Sequence, residues 1–176
     1  MPLKQMSWFI HIPSYYLCWI ACIYFASHNA PYTGPIITLG ILLVQIIWQR
    51  THQKPFVGPI VFAISLTILG STLDTAWLYL GQIYFYANPF GGYFSPPWMI
   101  CLWLSFGFNL VVMTEHWLHH YVVWGLLVLF SIPFAYWLGV VSGAALLLTN
   151  PIFYLQLGIV WGLLLPLSFY SYNLLK

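Results

Sequence analysis

The chain has 176 residues, of which 62% are hydrophobic, 20% aromatic and only 3% charged, with a net charge of +2. Soluble domains carry roughly 25% charged residues, so four basic and two acidic side chains could not cover a water-facing surface of this size. A soluble fold is excluded, and so is a nucleic-acid-binding role, because no basic stripe exists; the apolar excess must face lipid.

A membrane-spanning helix needs about 20 mostly apolar residues, and six runs meet that need. The first covers about 8–27. Lys4 precedes it, as in a signal peptide, but the run is long and His28 stands two positions before Ala30, where cleavage requires a small residue. It is therefore expected to remain as a span. The others cover about 35–48, 58–85, 97–114, 119–146 and 151–170. Breakers separate them: 28–35 with two prolines and a glycine, 49–55, and 88–97 with Pro89, Gly91, Gly92, Pro96 and Pro97. Thr149-Asn150-Pro151 is expected as a tight turn. The expected fold class is all-α, a single polytopic membrane bundle over residues 1–176. With six spans, Lys4, Arg50, Lys54 and Lys176 all fall on one side, so both termini are expected in the cytoplasm. No repeat of fixed period appears, and the two three-helix halves show no similarity that would mark an inverted pair.

Helices in lipid associate through small residues that let backbones approach. Ala135, Gly139 and Gly143 in the fifth run, and Gly158 and Gly162 in the sixth, are expected to face each other across the turn at Asn150. Pro133 and Pro166 are expected to bend the same two helices. Trp8, Trp48, Trp98 and Trp117 fall at helix ends and read as interfacial belt residues. The aromatic segment 84–97 reads as an interfacial anchor, with a lid over an outward-facing pocket as the alternative. Cys18, Cys22 and Cys101 lie in apolar runs and read as packing residues, although Cys18 and Cys22 at i, i+4 would also suit a metal.

Asp74 is the most informative residue. It lies in the third run, roughly 15 Å from the outer end at 1.5 Å per residue. A carboxyl at such depth is costly and faces the protein interior or a wet cavity, and removal from water favours its uncharged form. It is expected to act as a proton carrier, a ligand anchor or a general acid, or simply to tie helices together with Ser71 as a local partner. Trp77, Trp103, Asn109 and Tyr136 are expected near it, lining an apolar pocket with a few convergent polar groups; aromatic packing alone is the alternative for each ring.

The segment Glu115-His116-Trp117-Leu118-His119-His120 contains the His-x-x-His-His spacing of membrane di-iron enzymes, and imidazole suits iron, zinc and copper. Such enzymes carry about eight histidines in several boxes, whereas this chain has six, and His28 falls on the other side of the membrane. His116, His119 and His120 are therefore expected as interfacial residues, with metal binding as the lesser reading. No nucleophile elbow, phosphate-binding loop or zinc-protease motif appears, and no cofactor is expected. Asp74 and Glu115, the only carboxylates, are expected too far apart in depth for paired-carboxylate catalysis.

Three motifs in order, Gly70-x-x-x-Asp74, Pro97-Trp98-x-x-x-Leu102-Trp103 and Pro133-x-x-Tyr136-x-x-Gly139-x-x-x-Gly143-Ala144, resemble the bacterial domain-of-unknown-function family 2878 (DUF2878). The likeness is strongest over 58–146. Ile132 stands where the family pattern has Gly, and the histidine segment where it has a small polar residue. The resemblance implies a small multi-pass protein of the bacterial inner membrane with no established activity. It also implies a lipid-related role, since members are often encoded beside enzymes that modify membrane fatty acids. The leading expectation is thus a lipid- or small-molecule-binding accessory protein, with Asp74, Trp77, Trp103, Asn109 and Tyr136 at its site. The rivals are a small proton-coupled transporter or exporter using Asp74, and a membrane-embedded enzyme. Expected partners are the bilayer, a lipid or small apolar ligand, and a second copy or another membrane protein.

Overall fold

A computed structural model describes residues 3–175, with side chains from Trp8 onward. Among these residues there are six long helices: α1 (Leu3–Ser27), α2 (Thr33–Thr51), α3 (Val57–Tyr79), α4 (Pro97–Thr114), α5 (Tyr121–Val141) and α6 (Ile152–Leu174). All six are long and apolar enough to cross a membrane. The surface they present is apolar: Ile36, Leu43, Val44 and Ile47 on α2, and Val122, Leu126, Phe130 and Phe134 on α5, are all exposed. Such a surface has its solvent in lipid, and the chain is a multi-pass membrane protein.

Two short strands, β1 (Ile83–Phe85) and β2 (Ala145–Leu147), pair antiparallel with Tyr84 opposite Leu146. They occupy residues expected to be helical, because α3 stops at Tyr79 rather than near 85 and α5 stops at Val141 rather than near 146. The cause is one glycine in each place. Gly81 and Gly143 adopt φ +64° and +76°, and the amides after them reach back five residues: Gln82 N–H donates to Trp77 O and Ala144 N–H to Gly139 O, each at 3.0 Å. This is the Schellman stop, which needs a left-handed residue just past the helix. α1 and α2 end the same way at Asn29 (φ 57°) and Gln53 (φ 52°). α4 begins with Pro97 at its first position, where a missing N–H costs nothing. The link from α5 to α6 is consequently longer than the expected tight turn.

That longer link changes the α5–α6 register. Gly158 packs on the Leu129 carbonyl and Pro133, while Gly125 packs on the Gly162 carbonyl and Pro166. The two glycine–proline contacts are reciprocal across an antiparallel pair. Gly139 and Gly143 instead face Ile23 and Ser27 of α1. The expected ladder-to-ladder contact is therefore replaced by one nearer the start of α5.

α4 is the central helix, with 11 of its 18 residues buried. It packs against α3 where Gly107 meets the Ala63 backbone, and against α6 where Trp103 stacks on Trp161. The strand pair closes one end of the bundle. At the other end, Trp8, Lys54, Glu115 and His116 come together. Trp8 and Trp117 are exposed, as belt residues should be, but Trp98 is buried: its Nε1–H donates to Tyr86 O at 3.0 Å and its ring meets Phe85 edge-on. Trp98 is thus a tie between α4 and the strand pair. In segment 84–97, Phe85 and Ala87 are buried, while Tyr84, Tyr86, Phe90, Tyr93 and Phe94 are exposed.

Candidate functional site at Asp74

The buried residues of α3 are Pro59, Phe62, Ala63, Leu66, Gly70 and Asp74, a single stripe at helical spacing. Asp74 therefore continues the face that packs on α4 and is fully buried. One turn earlier, Gly70 leaves room for an aromatic ring: a Cβ there would lie 2.5 Å from Cδ2 of Trp103. The indole that fills this space donates from Nε1 to Asp74 Oδ2 at 2.8 Å. From α5, the Tyr136 hydroxyl donates to Asp74 Oδ1. Trp103 stacks on Trp161, with centroids 4.3 Å apart and planes at 24°. Three helices thus meet at one carboxyl, with α6 packed behind the indole, and each carboxyl oxygen accepts one bond from a neutral donor. Ser95, buried in the loop before α4, is a further polar neighbour, although its Oγ completes no hydrogen bond. Ser71, the expected local partner, also leaves its Oγ unbonded.

Beside the carboxyl lies a cavity of about 140 Å³ between α1, α4 and α5. Trp103 and Tyr136, the two donors to Asp74, line it, as do Phe85 and Ala145 of the strand pair. Its walls also include Tyr15, Trp19, Ala135 and Ser131. Ser131 is exposed halfway along α5, where a spanning helix meets lipid rather than water.

Two of the expected site residues lie elsewhere. Trp77 packs edge-on against Phe153 of α6 and leaves Nε1 unbonded. Asn109 is six residues beyond Trp103, a rotation of about 240° around the helix. It faces α1 and α2, where it joins His11, Gln45 and Gln49 in a separate buried cluster. Asn109 is expected only a little deeper than Asp74, and it is helical phase that separates the two. The cavity wall from α1 and the His11 cluster were not singled out from the sequence. The second carried a signal: a histidine and a glutamine inside apolar spans, His11 and Gln45, are expensive in lipid and need partners.

His116, His119 and His120 are exposed in the turn between α4 and α5, with the last two rings 4.0 Å apart. Among the described residues, no group of three or more His, Cys, Asp or Glu side chains is placed to hold a metal ion. At the same end of the bundle, partial burial lowers the pKa of Lys54 from its ordinary value.

No curated protein and no solved structure matches the chain. Residues 8–167 match the family described as Protein of unknown function (DUF2878). That match includes α4 and α5 entire and every residue that touches Asp74, and on it the chain belongs to the DUF2878 family.

Proposed function

We propose that the chain binds the end of an apolar, lipid-like molecule in the cavity between α1, α4 and α5, at the cytoplasmic membrane of a bacterium, as an accessory to lipid or fatty-acid modification. The observation that carries this reading is the arrangement of the cavity: an apolar space within the helices, with an exposed residue of mid-α5 in its wall and two further wall residues, Trp103 and Tyr136, bonded to Asp74. Apolar cavities of roughly 150 Å³ take up benzene-sized guests, so a space of about 140 Å³ suits a ring or the last few carbons of a chain, with the remainder left in the membrane. Tyr136 and Trp103 would orient that end, and Asp74 would hold both of them in place.

Mass spectrometry of purified protein tests the proposal. Wild type is expected to retain an apolar molecule above the level set by bulk lipid, and Ala135→Trp, which puts a large ring into the cavity from its wall, to lose it. Equal retention in both, or none in wild type, removes the reading. Total-lipid profiles of cells lacking the gene, complemented with wild type or Asp74→Asn, test the accessory role.

A second reading, proton-coupled transport, draws on Asp74 being a carboxyl inside a span with only neutral hydrogen-bond donors. It requires flux in proteoliposomes that depends on a proton gradient and disappears in Asp74→Asn.

A further inference from the structure

The His11 cluster has a hydrogen-bond order that can be worked out atom by atom. His11, Gln45, Gln49 and Asn109 are all at most 2% exposed. Asn109 Nδ2 donates to the Ser105 carbonyl at 2.9 Å, an acceptor only, and this fixes which way the amide points. Asn109 Oδ1 then faces His11 Nδ1 at 3.1 Å and also accepts from Gln45 Nε2 at 2.7 Å. An oxygen opposite Nδ1 requires a proton there, so Nδ1–H donates to Asn109 Oδ1. The neutral ring then has a bare Nε2, which accepts from Gln49 Nε2 at 3.3 Å. Gln45 Nε2 lies 3.1 Å from Nδ1 without donating to it, since a protonated Nδ1 has no lone pair to accept with.

The Gln49 amide is held on one side only. Its Oε1 is buried without any hydrogen-bond partner. The same side chain lines a cavity of about 260 Å³ at the end of the bundle away from the strand pair, together with Trp8, Lys54, Glu115 and His116. Turning the amide by half a rotation would bring Oε1 to His11 Nε2 and the NH₂ to the position Oε1 now holds. In that arrangement Nε2 could carry a proton and donate it to Oε1, while Nδ1–H keeps its bond to Asn109. The cluster therefore has two hydrogen-bonded arrangements, one for the neutral ring and one for the imidazolium, related by one side-chain rotation.

We infer that His11 is a proton-binding site, taking up a proton at Nε2 from the cavity at the end of the bundle formed by Trp8, Lys54 and Glu115, with Gln49 as the acceptor that rotates to receive it. His11 lies about three residues, or roughly 4.5 Å, inside the span that starts at Trp8. The charged and titratable groups around it are Lys54, whose ammonium sits 4.6 Å from the Trp48 ring, His52 stacked on that same ring, and Glu115 and His116 across the cavity. The His11 ring itself meets Trp48 edge-on and Phe108 at a tilt. Transfer is a simple uptake: a proton arrives at Nε2, the ring becomes cationic, and no other bond is made or broken. The site is separate from Asp74 and stands whether or not the cavity at Asp74 binds a ligand.

Nitrogen NMR of the full chain in lipid, with ¹⁵N-labelled histidine and His11→Gln to assign the signal, tests the site. At high pH the His11 signal is expected as the Nδ1–H tautomer with an unprotonated Nε2. On acidification Nε2 is expected to gain a proton while circular dichroism shows the helices intact. Gln49→Leu, which removes the acceptor, is expected to keep the ring neutral over the range in which wild type takes up its proton. Gln49→Glu, which puts a permanent acceptor there, is expected to give the imidazolium at a pH where wild type is neutral. A His11 that stays neutral at every pH at which the protein is folded overturns the inference. So does an Nε2–H tautomer at high pH, or protonation unchanged in both Gln49 variants. Should Gln49→Leu fail to fold, the Gln49→Glu spectrum decides alone.

Discussion

Asp74 is held by a phenol and an indole, and this sets what the loss of either partner should do. Interhelical hydrogen bonds measured in membrane proteins average only about 0.6 kcal/mol, because chains unfolded in lipid also find partners. A fully buried carboxyl is a stronger case, since a buried acceptor left without its donor costs about 1–3 kcal/mol. Tyr136→Phe is expected to lower stability by about 1–3 kcal/mol, measured by denaturation in mixed micelles. In Asp74→Leu both donors have already lost their acceptor, so adding Tyr136→Phe should cost far less than it does in wild type. Strict additivity of the two changes would mean that the hydroxyl and the carboxyl do not depend on each other. Gly70→Ala probes the second donor. Its methyl would overlap the Trp103 ring, and displacing that ring breaks both the bond to Asp74 and the stack on Trp161. A loss of roughly 1–3 kcal/mol with a changed tryptophan emission is expected, while unaltered emission would show that the ring accommodates the methyl in place.

At the scale of the helices, glycine has two different jobs, and the difference predicts an order of sensitivity. Gly158 lies against the Leu129 carbonyl oxygen with no room for a Cβ, whereas a Cβ at Gly139 would meet only Ile23 Cδ1 at 3.8 Å. Gly158→Ala should therefore push α5 and α6 apart and cost roughly 1–3 kcal/mol, and Gly139→Ala should melt near wild type. The reverse order would remove the α5–α6 register described above. The same distinction explains what was legible in the sequence. Six apolar runs and their breakers are composition signals that survive without any knowledge of packing, so helix number and α4's bounds were readable. The small-residue ladder Ala135-Gly139-Gly143 was readable as a pattern but not as a contact, because spacing does not say which neighbour a face meets. Gly81 and Gly143 end helices through a left-handed φ, and in an apolar run such a glycine looks no different from one that packs. The site followed the same rule: depth along the helix placed Trp103 beside Asp74, while the phase that turns Asn109 toward His11 depends on where α1 and α2 dock.

At the scale of the whole molecule, the two ends of the bundle differ in chemistry. One end carries the strand pair and the exposed rings of Tyr84, Tyr86, Phe90, Tyr93 and Phe94. The other carries Arg50 and Lys54, and the start of α1 with Lys4 leads from it. The Asp74 cavity opens nearer the first end and the His11 cluster nearer the second, so orientation decides which compartment each one serves. The excess of basic residues on one side sets orientation in bacterial membranes, yet four such residues in the whole chain is a small bias. Single cysteines can read it directly. Cys18, Cys22 and Cys101 are buried and should stay silent to a membrane-impermeant maleimide, leaving Tyr93→Cys on the strand end and Gln53→Cys on the basic end as reporters. On intact cells Tyr93→Cys is expected to react and Gln53→Cys only after permeabilisation. The opposite pattern would place the His11 cavity outside and expose Asp74's side to the cytoplasm. Labelling of both on intact cells would mean that four charges are too few to choose, and that the protein inserts in both directions, in which case pairing of oppositely oriented copies becomes the natural way for its apolar faces to meet.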